Sequence, residues 1–131
     1  MKNKFLKQDV PPGFEHEKDN LAIDFDGVIH DFRGWGDGTC YGGPLPNSLE
    51  SVKMLSEHYN IIIFTAKARP DRPLVNNMTG LQLVTEWLDK HDILQYIDYV
   101  THEKPRAKYY IDDKAIEYKA NWPEIVERVL K

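Results

Sequence analysis

The 131 residues suit one globular domain, and 41% hydrophobic with 29% charged residues is an ordinary soluble composition. The formal charge of −4 gives no general reason to expect nucleic acid or a membrane as partner, and no apolar run is long enough to span a bilayer. Cys40 is the single cysteine, and no apolar stretch follows the N-terminal lysines, so we expect a cytoplasmic protein without an internal disulfide.

Apolar runs separated by breakers predict the strands. Residues 1–19 are polar, contain Pro11-Pro12-Gly13, and are expected to form an irregular arm before a single domain over 20–131. Residues 61–64 are wholly apolar, which is typical of a strand buried on both faces of a parallel sheet. The predicted strands are residues 21–25, 61–64, 97–100 and 108–111.

Three helices are predicted between and after these strands. Asn47 or Ser48 is expected to cap the first and Thr79 the second, while Asn121, with Pro123 in the first turn, begins the third. The alternation predicts an α/β fold, a three-layer Rossmann-like parallel sheet with helices on both faces. The helical stripes and Trp122 are expected in the core: Leu49, Val52, Met54 and Leu55; Leu81, Val84, Trp87 and Leu88; Ile125, Val126, Val129 and Leu130.

Two carboxylates end the first predicted strand. Asp24 and Asp26 are separated by one residue, and Gly27 then allows a sharp turn. Because two neighbouring acids repel, a buried strand that ends on them is expected to hold a cation. A solvated turn is the alternative, since Asp and Gly are common in turns. A calcium loop of the EF-hand type is excluded, because Val28 and Trp35 would occupy its ligand positions.

Other polar side chains follow the remaining strands. Thr65 comes after the second strand, Lys104 lies just past the third, and Asp112-Asp113 follows the fourth. Ligands of parallel sheets bind outside the carboxyl ends of the strands, so these groups are expected to converge with Asp24 and Asp26. The convergence is more specific than any one of the motifs.

These residues resemble the four ordered motifs of the haloacid dehalogenase-like superfamily, over about residues 20–113: Asp24-Phe25-Asp26-Gly27-Val28, Phe64-Thr65, Lys104-Pro105 and Tyr110-Ile111-Asp112-Asp113. The resemblance implies a magnesium-dependent phosphatase. In it, Asp24 would be the nucleophile and Asp26 the general acid/base, while Thr65 and Lys104 would hold the phosphoryl group. Magnesium would be bound by the Asp24 carboxylate, the Asp26 carbonyl and Asp112, with Asp113 as a weaker partner.

Physical chemistry agrees with these implied roles. An Asp carboxylate is ionised at neutral pH, so it can attack phosphorus without first losing a proton. A carboxylate and a dianionic phosphate about 4 Å apart repel by several kcal/mol near a protein surface. Magnesium and the Lys104 ammonium would offset that repulsion. A carbon–halogen substrate would not need magnesium, so the second acidic pair favours phosphate chemistry over dehalogenation.

The spacing leaves no room for the cap domain of larger members of this superfamily, so a capless member is expected. Residues 28–43 would form a short turn and hairpin flap beside an open site. Such a site suits a phosphorylated small molecule, the phosphorylated end of a larger molecule, or completion by a second subunit. The glycine-rich segment and the basic loop over 66–78 supply the candidate substrate-binding residues: Arg33, Trp35, Tyr41, Lys67, Arg69 and Arg72.

Several alternatives stay open at this point. A phosphotransferase or mutase would use the same aspartyl-phosphate, and a non-catalytic phosphate-binding relative would keep the same motifs. A receiver-like switch domain also collects Asp, Thr and Lys residues, although its phosphoacceptor follows the third strand, where this chain has Thr101-His102. His30 and Asp31 are equally suited to lining the site or to a solvated loop, and Cys40 is expected to be unreactive.

Overall fold

A parallel sheet forms the centre of the protein in the computed structural model, which describes residues 17–131. Its strands are β1 (Asn20–Asp24), β2 (Asn60–Phe64), β3 (Tyr99–Thr101) and β4 (Tyr109–Ile111). They are arranged in the order β3-β2-β1-β4, and every pairing is parallel. The predicted α/β class and the four predicted strands are therefore confirmed within the described residues. The predicted arm lies outside them, except for a 3-10 turn at Glu17–Asp19.

The third strand begins two residues later than predicted. A 3-10 turn over Leu94–Tyr96 comes first, and the Ile97 N–H donates to the Leu94 carbonyl at 3.0 Å. The carboxylate of Asp98 then accepts the Ile61 N–H at 2.7 Å, which links this segment to β2. The apolar residue at the start of the predicted strand therefore closes a turn instead of pairing with β2.

Within residues 17–131, three α-helices accompany the sheet: α1 (Ser48–Leu55), α2 (Gly80–Lys90) and α3 (Trp122–Leu130). Thr79 caps α2 as predicted, since its hydroxyl accepts the Gln82 N–H and the Gln82 side chain accepts the Thr79 N–H. Asn47 precedes α1 without a side-chain cap, because its backbone is left-handed, with φ of 67°. None of the helices within residues 17–131 has the length and apolar character needed to cross a membrane.

The main hydrophobic core lies on one face of the sheet. Side chains of β1 and β2 that point to this face pack with those of α1 and α2, and all of the following are buried: Leu21, Ile23, Ile61, Ile63, Val52, Val84, Trp87 and Leu88. Ala22 and Ile62 alternate to the opposite face and are buried as well. Burial of β2 on both faces is thus confirmed. The residues that follow β1 and β2 are therefore attached to buried strands.

The predicted burial of the α3 stripe is wrong. Trp122 is 62% exposed and Val129 64% exposed, and Val126 and Leu130 are exposed too. Periodicity shows that one side of a helix is apolar, but it does not show which element covers that side. The edge strand β4, which precedes α3 in the chain, also has its side chains exposed. Met54 of α1 and Leu81 of α2 are two further stripe residues that the structure leaves exposed.

Candidate functional site: a carboxylate cluster at the strand ends

The site begins where β1 and β4 end side by side. Asp24 is the last residue of β1, and Asp112-Asp113 directly follows β4, which is hydrogen-bonded to β1. Asp24, Asp112 and Asp113 each offer a carboxylate oxygen, and these oxygens lie within 4.8 Å of one another. The predicted convergence of the first and fourth motifs is therefore present in the structure.

Gly27 allows this close approach. Its φ of +85° lies in the left-handed region, where side chains are rarely tolerated. A Cβ atom at this position would also lie only 2.4 Å from Oδ2 of Asp113. Glycine is thus required both for the turn after the first motif and for the position of the Asp113 carboxylate.

Asp24 is in an environment that disfavours its charge. Its pKa is raised from 3.8 to about 6, mainly by burial and further by repulsion from Asp112, Asp113 and Asp26. The Phe25 N–H opposes this rise by donating to Oδ1 at 2.8 Å. Carboxylate oxygens are the ligands that hard divalent cations prefer. A cation would relieve the repulsion, so the donor set and the electrostatics fit a hard divalent cation.

The Asp26 side chain has different partners. Its Oδ1 lies 2.8 Å from Nδ1 of His30, and its Oδ2 lies 3.5 Å from Nζ of Lys67. Lys67 is only 5% exposed, so it is not the solvated loop residue that basic loops usually contain. The Lys67 ammonium faces the Asp26 carboxylate, so Lys67 lies in the interior of the site.

Thr65 directly follows the end of β2, and Lys104 comes three residues after the end of β3. Thr65 is buried directly after β2, and its hydroxyl oxygen accepts the Lys67 N–H at 3.2 Å, which leaves the hydroxyl proton for another acceptor. Lys104 is exposed in the loop that leads from β3 to β4. Its ammonium lies 4.3 Å from the centroid of the Tyr110 ring, on the strand that precedes Asp112.

The remaining candidate substrate-binding residues lie on exposed loops and have local partners. Arg33 and Arg69 each donate to a nearby carboxylate, that of Asp31 and that of Asp71, at 2.9 Å. The Tyr41 hydroxyl accepts the Arg33 N–H at 2.8 Å. The Arg72 guanidinium lies 5.6 Å from the Trp35 ring centroid, so the glycine-rich segment and the basic loop touch there.

His30 is the site residue whose role the sequence left undecided. It is 0% exposed, and it contacts Asp26 on one side and the Gly42 backbone on the other. The sequence indicated a contact with Asp26 only through the spacing of four residues between them. Burial of His30 could not be predicted, because it depends on packing with residues that are distant in the chain. Cys40 is half-buried, and burial raises the pKa of its thiol to about 11, so the unreactive protonated form prevails at neutral pH.

Comparisons of the chain with protein-family models, with curated proteins and with solved structures found no match. The family resemblance therefore depends on the four sequence motifs, and function must be argued from the chemistry of the site.

Proposed function

We propose that the protein is a magnesium-dependent phosphohydrolase that cleaves phosphate monoesters through an aspartyl-phosphate on Asp24. The observation that supports this most is the grouping of Asp24, Asp112 and Asp113 at the ends of two paired strands. Asp26, two residues from Asp24, has a separate set of partners in His30 and Lys67. A cation site beside a nucleophile, with a second carboxylate held apart from it, suits phosphoryl transfer.

In the first half-reaction, Asp24 attacks phosphorus and the bond to the leaving alcohol breaks. Oδ1 of Asp24 accepts the Phe25 N–H, which fixes the orientation of the attacking carboxylate. The carboxylates of Asp24, Asp112 and Asp113, with the Asp26 backbone carbonyl, would hold Mg²⁺, which would supply positive charge against the phosphate and the developing transition-state charge. Thr65 has a hydroxyl proton to donate to a phosphoryl oxygen, and Lys104 would add a second positive charge.

Asp26 moves the protons in both half-reactions. It enters the first half-reaction as the carboxylic acid, gives its proton to the departing alkoxide, and is restored when it takes a proton from the water that attacks the acyl-phosphate. Its two oxygens face Nδ1 of His30 and Nζ of Lys67, so its carboxyl group is held in a fixed orientation. Water attack returns Asp24 to its carboxylate form and releases inorganic phosphate, which completes the balance.

An open, capless and cytoplasmic enzyme with a three-layer fold is part of the same proposal. Ala22 and Ile62 are buried on the sheet face opposite α1 and α2, which supports a covering layer there. The segments beside the site are the glycine-rich flap, residues 28–43, and the basic loop, residues 66–78. Trp35 on the flap and Arg72 on the loop touch each other. They offer a stacking surface and a charge to the part of a substrate remote from phosphorus.

Asp24→Asn tests the proposal, because it keeps the shape of the side chain while removing the nucleophilic charge. The wild-type protein should hydrolyse an aryl phosphate only with Mg²⁺ present, and Asp24→Asn should lose this turnover. Asp89→Asn, an exposed carboxylate on α2, is the matched control. Labelled phosphate should be trapped on the wild type and released by hydroxylamine. Wild-type turnover by Asp24→Asn would refute the mechanism.

Transfer to an added alcohol separates hydrolysis from the phosphotransferase alternative. If the aspartyl-phosphate forms but its phosphate goes to an acceptor alcohol in preference to water, the protein is a transferase with the same nucleophile. If it binds Mg²⁺ and phosphate and never forms the acyl-phosphate with any substrate, the non-catalytic alternative is correct.

A further inference from the structure

His30, near the start of the flap, joins the Asp26 carboxylate to the backbone at the end of the flap. Its Nδ1 lies 2.8 Å from Oδ1 of Asp26, and its Nε2 lies 2.9 Å from the Gly42 nitrogen. The ring is completely buried, so neither contact competes with bulk water. A buried side chain with both polar atoms engaged is fixed in position, and it fixes its partners.

The Gly42 contact determines which ring nitrogen carries the proton. A backbone N–H can only donate, so Nε2 of His30 must accept and carry a lone pair. The ring proton of the neutral imidazole is then on Nδ1, from which it is donated to Asp26. Asp26 therefore receives a directed hydrogen bond whose existence depends on where Gly42 lies.

Packing around the ring leaves it little freedom. Phe25 is stacked on His30 with the ring centroids 5.1 Å apart, and Trp87 meets it edge-on at 5.6 Å. Trp87 also donates from Nε1 to the Gly42 carbonyl at 2.9 Å, so both polar groups of Gly42 are engaged. A Cβ on Gly42 would lie 2.1 Å from the Asp31 carbonyl oxygen, so only glycine fits there.

We propose that His30 is a positioning residue that couples the flap to Asp26. It orients the Asp26 carboxyl group for proton transfer, and the Gly42 contact keeps the ring proton on the nitrogen that faces Asp26. The inference rests on the proposed function for its catalytic consequence, but the coupling itself is a property of the fold. A substrate that contacts the flap beside Tyr41, whose ring meets His30 edge-on at 5.7 Å, acts on the Asp26 orientation through this ring.

Two substitutions separate the two contacts of His30. In His30→Asn, the amide nitrogen replaces Nδ1 and retains a donor for Asp26, while the acceptor for Gly42 is lost. In His30→Gln, the longer amide can place its oxygen near the position of Nε2 and retain the Gly42 contact, while the donor to Asp26 is lost. Both remove the aromatic ring, so their structural costs are matched.

We expect His30→Gln to lower kcat by about 100-fold, the order of loss that a misplacement of about 1 Å causes. KM for a small aryl phosphate should remain close to that of the wild type, because Asp26 is not needed to bind phosphate. His30→Asn should rescue a large part of kcat. Equal losses of kcat in the two variants would show that His30 has a structural role alone and would overturn the proposal.

Nuclear magnetic resonance tests the coupling without relying on activity or on the folding of the His30 variants. In the wild-type protein the His30 ring should carry its proton on Nδ1, and Asp26→Ala should shift the Gly42 amide resonance. Asp89→Ala is the control. A proton on Nε2, or a Gly42 amide chemical shift that is the same in the wild type and in Asp26→Ala, would overturn the coupling. A wild type that is inactive on all phosphates but passes these tests would refute the proposed function alone.

Discussion

Asp24→Asn should make the metal-free protein more stable at neutral pH, although it removes the proposed nucleophile. The pKa of Asp24 is raised from 3.8 to about 6, first by burial and then by the neighbouring carboxylates. Asparagine keeps an oxygen that can accept the Phe25 N–H, so the hydrogen bond at Oδ1 is retained. The substitution therefore removes an unfavourable charge and leaves the local structure in place.

The magnitude follows from the rise in pKa. A change from 3.8 to about 6 corresponds to at most about 3 kcal/mol of unfavourable ionisation in the folded state. Asp24 is partly exposed, and solvent screening reduces this to about 1–2 kcal/mol. Because the pKa of Asp24 is raised in the folded state, protonated Asp24 contributes to the stability of the fold. This contribution is fully present below pH 3.8 and is lost as the pH rises through about 6.

Urea unfolding in the presence of a chelator measures this difference. We expect Asp24→Asn to exceed the wild type by about 1–2 kcal/mol at pH 7.5, and the two proteins to converge near pH 4. Asp71→Asn is a control of opposite sign, because the hydrogen bond from Arg69 lowers the pKa of Asp71, so this substitution should not stabilise the protein. A difference that does not change with pH, or a less stable Asp24→Asn, would refute the electrostatic argument.

Three further predictions follow from the structure. Gly27→Ala should weaken Mg²⁺ binding by about 10- to 100-fold in calorimetric titration, because its Cβ would collide with Asp113, and unchanged affinity would contradict this role. Lys67→Met should lower kcat and leave Mg²⁺ affinity as in the wild type, because it removes a partner of Asp26; a parallel loss of affinity would place Lys67 in the cation site. Val129→Asp should change the free energy of unfolding by no more than about 0.5 kcal/mol, and a loss of several kcal/mol in urea unfolding would show that α3 is covered.

The sequence predicted the parts of the fold that depend on local pattern. The apolar run at 61–64 is long enough only for a strand buried on both faces, and Thr79 with Gln82 three residues later is a local capping signal. Parallel pairing then brings the strand ends together without further information. The sequence therefore predicts the grouping of Asp24 with Asp112.

Features that depend on distant packing could not be predicted in the same way. Lys67 belongs to a basic loop by composition, yet a 3-10 turn over Ala66–Ala68 directs its side chain into the protein toward Asp26. His30 is buried because Phe25 and Trp87 enclose it, and Trp87 is 57 residues further along the chain. The prediction that the apolar side of α3 is buried was wrong for the opposite reason. The local apolar pattern is present there, but no other element covers these side chains within the described residues.

The two carboxylates of the first motif have opposite electrostatic surroundings although only one residue separates them. Asp24 faces two further carboxylates, which raise its pKa after burial has done so, whereas Asp26 faces the Lys67 ammonium and the His30 ring. Neighbouring acids with opposed surroundings are the arrangement by which one fold assigns them different chemical tasks. A cation at Asp24 would offset this repulsion, whereas Asp26 already has protein partners in Lys67 and His30. Loss of metal should therefore prevent nucleophilic attack by Asp24 and leave the orientation of Asp26 unchanged. Substitution of His30 should instead change the orientation of Asp26 and leave metal binding at Asp24 unchanged.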